Sequence, residues 1–130
     1  MELSKINGKN VYIDANIFIY AIEDNEEYKE KISALFSRII ETKSMIITSE
    51  LTLTECLVKP YSENDKVSIL NYEAHIKNSE FLILKPLPLD LLKKSAQLRG
   101  MYKNKLPDSI HLATALSENC NVFIKNKSSR

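Results

Sequence analysis

Three acidic residues stand where chemistry could be placed: Asp14, Glu55 and Asp108. Asp14 lies in VYIDANIFIY (residues 11–20), where the apolar run Val11, Tyr12, Ile13 stops and a helix-like run begins at Ala15. A carboxylate at the carboxyl end of a strand, facing a helix start, is where open α/β sheets place their ligands. Glu55 lies in TSELTLTECL, in phase with Leu51 and Val58, on a partly apolar helical stripe. A buried carboxylate is costly unless it is paired, hydrogen-bonded or bound to a metal. Asp108 opens LPDSIHLATAL, beside a Pro107 that suits a first helical turn. Three carboxylates drawn together from distant parts of a chain repel one another unless a cation joins them. An oxygen-only donor set favours Mg²⁺ or Mn²⁺. Such an ion activates water for in-line attack on a phosphodiester.

Each acid also has a plain structural reading. Asp14 or Asn16 caps the helix that follows. Leu53 and Leu57, rather than Leu51 and Val58, define the core face around Glu55. Asp108 is a first-turn acid favoured by the helix dipole. His111, one turn beyond Asp108, reads as structural, and His75 as a surface or half-buried side chain.

The elements that would position these acids alternate in type. Short apolar runs at Val11–Ile13, Met45–Ile47, Phe81–Leu84 and Val122–Ile124 read as buried strands. Helical spacing joins them. A helix carries Tyr28, Ile32, Leu35, Phe36, Ile39 and Ile40 on one face. Ser49 is a good cap for a helix over 50–59, which Pro60 is expected to close. A weaker helix over 63–78 shows a stripe at Val67, Leu70, Ala74 and Ile76. Another begins near Asp90 with Leu91, Ser95, Leu98 and Tyr102 in phase. Small residues Ala113, Thr114 and Ala115 imply close packing of the last helix on the sheet. The order β-α-α-β-α-α-β-α-α-β predicts a parallel sheet covered on both faces, with Asp14, Glu55 and Asp108 meeting at one edge.

The bulk numbers suit a single domain over residues 1–130, with 44% apolar and 27% charged residues and a net charge of +1. Two distant glycines exclude a Gly-rich phosphate loop. Cys56 and Cys120 are isolated and read as buried thiols, and two histidines are too few and too separated for the usual zinc site. The amino terminus lacks the apolar core of a secretory signal. No run approaches the roughly 18 apolar residues of a membrane span. A soluble, cytoplasmic protein is expected. From residue 93 onward eight basic residues face only two acids. Arg99, Lys103, Lys105, Lys125 and Lys127 are therefore candidate contacts for phosphate, with a solvated lysine surface as the alternative. For Arg99, pairing with an acid is the other option. A phospho-receiver domain would need an acceptor Asp after its middle strand, and FLIL is followed by Lys85 and Pro86.

Taken in order, the three motifs resemble those of PIN domains, and among them the single-domain toxins of VapBC-type toxin–antitoxin pairs. The resemblance covers nearly the whole chain. It rests on Asp14 with Asn16 two residues on, on Ser49 opening a helix with Glu55 beyond, and on Asp108 opening a helix rich in Ala, Thr and Leu. It implies an α/β/α sandwich with a parallel sheet of about four strands and ribonuclease activity. Asp14, Glu55 and Asp108 would hold Mg²⁺ or Mn²⁺, with Asn16, Ser49 and Asn126 as supporting polar groups. Partners would be an RNA substrate, an antitoxin and a second copy of the chain. The sequence departs from the family in one place. Where relatives carry a Thr and then a fourth acid after the last strand, this chain carries Lys125 and Lys127. The chain also ends at Arg130, where relatives continue into a fifth strand, so an open or partner-covered sheet edge is expected. Three accounts follow: an active three-carboxylate site, a degenerate domain that only binds RNA or antitoxin, or a divergent gene product.

Overall fold

The structure, a computed structural model, describes residues 3–125. Asn126 and Lys127, named above as a supporting group and a phosphate contact, lie outside the described residues. The expected alternation is observed. A short 3-10 turn at Leu3–Lys5 precedes β1 (Asn10–Ile13), α1 (Ala15–Ile22), α2 (Lys29–Glu41), β2 (Met45–Ser49), α3 (Glu50–Ser62) and α4 (Lys66–His75). Then follow β3 (Leu82–Lys85), α5 (Leu89–Tyr102), α6 (Leu106–Ser117) and β4 (Val122–Ile124). The four strands form one parallel sheet in the order β3-β2-β1-β4.

Strands buried on both faces need apolar residues on both, which is why these runs show no polar alternation. Val11, Ile13, Ile46, Val122 and Ile124 face the larger core, shared with α1 to α4. Tyr12, Ile47 and Phe123 face the other side, in a smaller cluster with Ala115 of α6. Tyr12 stands opposite Ile47 of β2 and Phe123 of β4, so one register carries a layer of the second core. Ala113, Thr114 and Ala115 are all buried, and their small size lets α6 lie close to the strands.

Some sequence expectations need correction. Pro60 does not close its helix: α3 runs on to Ser62 with Pro60 buried in its last turn. The missing N–H deprives only the carbonyl one turn back, while Glu63 N still donates to Lys59 O at 3.0 Å. The stripe read on α4 faces solvent, with Val67 79% and Leu70 67% exposed. The helix is turned by Tyr72, which is buried and donates its hydroxyl to Glu23 Oε2 at 2.6 Å. Ile76 is buried too, but it stands past the helix end. Phe81 precedes β3 and exposes its ring, although its carbonyl accepts from Ile46 N at 2.9 Å. Tyr102 is likewise exposed, so Ser95 and Leu98 are what α5 buries. On α6, Leu116 is exposed although its spacing placed it behind Asp108.

These assignments separate two substitutions that the sequence pattern treats alike. Leu70→Ser should leave stability within about 0.5 kcal/mol of wild type. Ile76→Ala should cost about 2–5 kcal/mol, as burial with a residual cavity demands. Urea unfolding of both variants checks this, and equal losses would contradict the orientation of α4.

Candidate active site

A parallel sheet brings the carboxyl ends of its strands to one rim, and the helices that start there carry the acids. Asp14 occupies the N-cap position of α1 with an extended backbone, yet its side chain makes no capping hydrogen bond. Its own amide donates to Ile124 O of β4 at 3.3 Å. One carboxylate oxygen, Oδ1, is buried and unpartnered; Ser109 Oγ is the other such side-chain atom among the described residues. Burial raises the Asp14 carboxyl from an ordinary 3.8 to about 6. The Glu55 charge pushes the same way, while a charged His111 and the amides of Ile17 and Asn16 oppose it.

α3 starts without a loop after β2. Ser49 is buried and its Oγ accepts from Leu51 N at 3.1 Å, the capping role read from sequence. The buried face of α3 is Thr52, Cys56 and Pro60, with Leu53 and Leu57 packed beside it. The stripe read through Leu51, Glu55 and Val58 is not the core face, and Leu53 and Leu57 pack on the core as the alternative reading had it. Val58 is exposed, and Glu55 is half-buried at the border of the core face. Asp108 is the third residue of α6, exposed in its first turn.

The three acids do converge. A cavity of about 200 Å³ is lined by Asp14, Asn16, Glu55, Lys105, Asp108 and His111, among others. A second, of about 270 Å³, shares Asp14, Asp108 and His111 and reaches Asn104, Phe123 and Lys125. The two cavities thus meet at Asp14, Asp108 and His111. Lys125 Nζ lies 5.9 Å from the centre of the Phe123 ring. Arg99 and Lys103 are exposed and line neither cavity. Ser49 lines neither, and its part is to start α3.

His111 is the residue that sequence reasoning set aside. It is buried, with Nε2 2.6 Å from Glu55 Oε1 and Nδ1 2.6 Å from the Tyr12 hydroxyl. Its spacing from Asp108, one helical turn, was the available signal. Its partners come from α3 and β1. Tyr12 is fully buried, and burial pushes its phenol up to about 12. The hydroxyls of Ser49, Thr52 and Thr48 pull the other way, and the Asp14 charge adds to the rise.

Among the described residues, no group of three His, Cys, Asp or Glu side chains is arranged to enclose a metal ion. The acids share a cavity rather than a closed coordination sphere. That suits Mg²⁺, which keeps several waters and takes one or two protein carboxylates. The donors are oxygens, and Asp14 Oδ1 is buried without a hydrogen-bond partner. The residues present therefore fit a hydrated divalent cation better than zinc or another thiophilic metal.

An acid-lined cleft at the carboxyl rim of a four-stranded parallel sheet defines the class, and sequence comparison names it. The PIN domain profile matches residues 11–128, and the chain belongs to this family. Its fold is similar to that of VapC20 from Mycobacterium tuberculosis, a Sarcin-Ricin loop cleaving toxin, with a TM-score of 0.74, 11% identity, and 92% of this chain and 91% of that one covered. It also resembles VapBC2 of Rickettsia felis, solved bound to a DNA fragment from its promoter (TM-score 0.65, 16% identity, 90% and 88% covered). A toxin–antitoxin complex from Klebsiella pneumoniae matches with a TM-score of 0.59 and 22% identity, over 91% of this chain and 88% of that one. No curated protein is similar enough in sequence to count as a relative. No described helix is long and apolar enough to cross a membrane.

The buried Asp14 sets a pH dependence. In chelator, the unfolded chain loses this proton near the ordinary value and the folded chain only at about 6. Between those values the folded state holds more protons, so stability falls as pH rises through the window. Asp14→Asn should remove that slope and exceed wild type at pH 7 by on the order of 1–3 kcal/mol. Urea unfolding at pH 4, 5, 6 and 7 measures it, and an unchanged slope in the variant would refute the assignment to Asp14.

Proposed function

We propose that this protein is a metal-dependent endoribonuclease of the PIN-toxin kind, hydrolysing RNA phosphodiesters with water. The observation that carries the reading is the convergence of Asp14, Glu55 and Asp108, from three separate elements, on one cleft in which Asp14 Oδ1 is buried without a partner. Family membership and a structural neighbour described as a Sarcin-Ricin loop cleaving toxin support it.

In this reading the acidic cleft would hold a hydrated Mg²⁺ or Mn²⁺, with one or two of the three carboxylates in direct contact and the rest reaching it through water. Asp14 offers its unpartnered oxygen from the floor of the cleft, Asp108 stands exposed at the mouth, and Glu55 is tethered through one oxygen by His111. A divalent ion bound there would offset the clustered negative charge, polarise the scissile phosphate and favour deprotonation of the attacking water. Lys105 and Lys125, each lining one of the two cavities beside the acids, receive neighbouring phosphates of the strand. Asn16 adds an amide to the cleft wall. The water oxygen bonds to phosphorus, one P–O bond of the chain breaks, and the departing oxygen takes up a proton.

The partners we infer are RNA, an antitoxin protein and a second copy of the chain, in the cytoplasm. The antitoxin inference is supported by neighbours solved as toxin–antitoxin assemblies. A second reading, a domain that binds RNA or antitoxin without cutting, is favoured by Lys125, a cation bordering the cleft where the family resemblance implies a neutral Thr.

Incubation of purified protein with single-stranded RNA separates the two readings. Cleavage should require Mn²⁺ or Mg²⁺, stop with chelator, and fall by about 100-fold or more in Asp14→Asn and in Asp108→Asn. RNA binding without cleavage, indifferent to both substitutions and to chelator, would favour the binding module.

A further inference from the structure

The Tyr12–His111–Glu55 chain of contacts spans three elements and is too specific to be packing alone. Both links are 2.6 Å long, and the central imidazole is buried. Glutamate on a helix has three rotatable side-chain bonds, and Glu55 is only half-buried. Without a tether its carboxylate would sample the cleft and lose rotamer freedom whenever it bound anything.

We propose that Tyr12 and His111 are positioning residues for Glu55, fixing its carboxylate through Oε1 so that Oε2 is presented to the cleft. The proposal rests on the metal-site reading above, but its geometry is independent of it. The buried phenol is both a donor and an acceptor, so it satisfies Nδ1 in either state of the ring. If the imidazole is neutral, Tyr12 donates to Nδ1, and the ring proton must sit on Nε2, facing Glu55. If it is protonated, Nδ1–H donates to the phenol oxygen and Nε2–H again donates to Glu55. Both states present the same N–H to Oε1. The remaining tautomer would set a nitrogen lone pair 2.6 Å from a carboxylate oxygen, which is repulsive. Glu55 thus fixes the proton on Nε2, and Tyr12 supports that state by satisfying Nδ1 from behind, as partners behind metal ligands commonly do.

The test is a calorimetric titration of the full chain with Mn²⁺, with circular dichroism melts to confirm folding. Wild type should bind and Asp108→Asn should not. His111→Ala should bind about 10–100-fold more weakly. His111→Gln, whose amide can donate from near the Nε2 position, should recover most of the affinity. Nitrogen-15 NMR of metal-free wild type should show His111 with its proton on Nε2, and Tyr12→Phe, which leaves Nδ1 without its partner, should bind Mn²⁺ more weakly than wild type. His111→Ala binding as tightly as wild type, or Gln restoring no more than Ala, overturns the positioning role while leaving the three-acid site standing. Wild type that binds no Mn²⁺ overturns the metal-site reading and this proposal with it. A wild-type His111 that carries its proton on Nδ1 alone overturns the proposal whatever the titration gives.

Discussion

β1 is hydrogen-bonded along both edges, to β2 and to β4, and the rest of the site depends on that confinement. A strand held on both sides and buried on both faces cannot shift register without moving every side chain to the wrong face. Val11 and Ile13 are committed to the larger core and Tyr12 to the α6 side. The ladder then ends where Asp14 donates its amide to Ile124. Its carboxylate is delivered into a half-buried position and cannot retreat to water without undoing the strand. The raised carboxyl of Asp14 is therefore a consequence of topology.

The same confinement ties the acids together through a chain of hydrogen bonds. Tyr12 is two residues before Asp14, on the same side of the strand by its period of two. His111 is one turn beyond Asp108. Glu55 closes the link from α3. One hydrogen-bonded chain thus joins the elements that carry all three carboxylates. Gathering like charges in a half-buried cleft opposes folding, and the opposition is local: Asp14 has a buried oxygen with no donor, whereas Glu55 has His111. A fold that leaves such a conflict unresolved commonly does so where it binds something.

What could be read from the sequence was whatever depends on near neighbours. The strands were legible because burial on both faces needs unbroken apolar runs, and the motif acids because each stands at a strand end or helix start. Pro107 and Ser49 marked their helices correctly. The failures share a cause. On α3 the spacing of Leu51, Glu55 and Val58 suggested a core stripe, yet small Thr52 and Cys56 occupy the buried face. On α4 one aromatic, Tyr72, outweighed three aliphatic positions. Which face of a short helix is buried depends on what it meets, and periodicity weighs only the helix itself. His111 is the strongest case, because its carboxylate partner is 56 residues away in the chain.

The surplus of basic residues after position 93 gave a patch but not its use, and the structure divides it. Arg99 and Lys103 line neither cavity beside the acids, while Lys105 lines one and Lys125 the other. With a net charge of +1, the molecule as a whole exerts little pull on a polyanion. Attraction must come from this arrangement, cations flanking an acidic centre. A phosphate chain meeting only the acids would be repelled. On the proposed reading, one that reaches both lysines is held across the centre, with a single phosphodiester brought against the carboxylates. On the proposed reading, the divalent ion and the two flanking cations solve the same electrostatic problem from different sides: the ion makes the middle of the path tolerable to a phosphate, and the lysines make its two ends favourable.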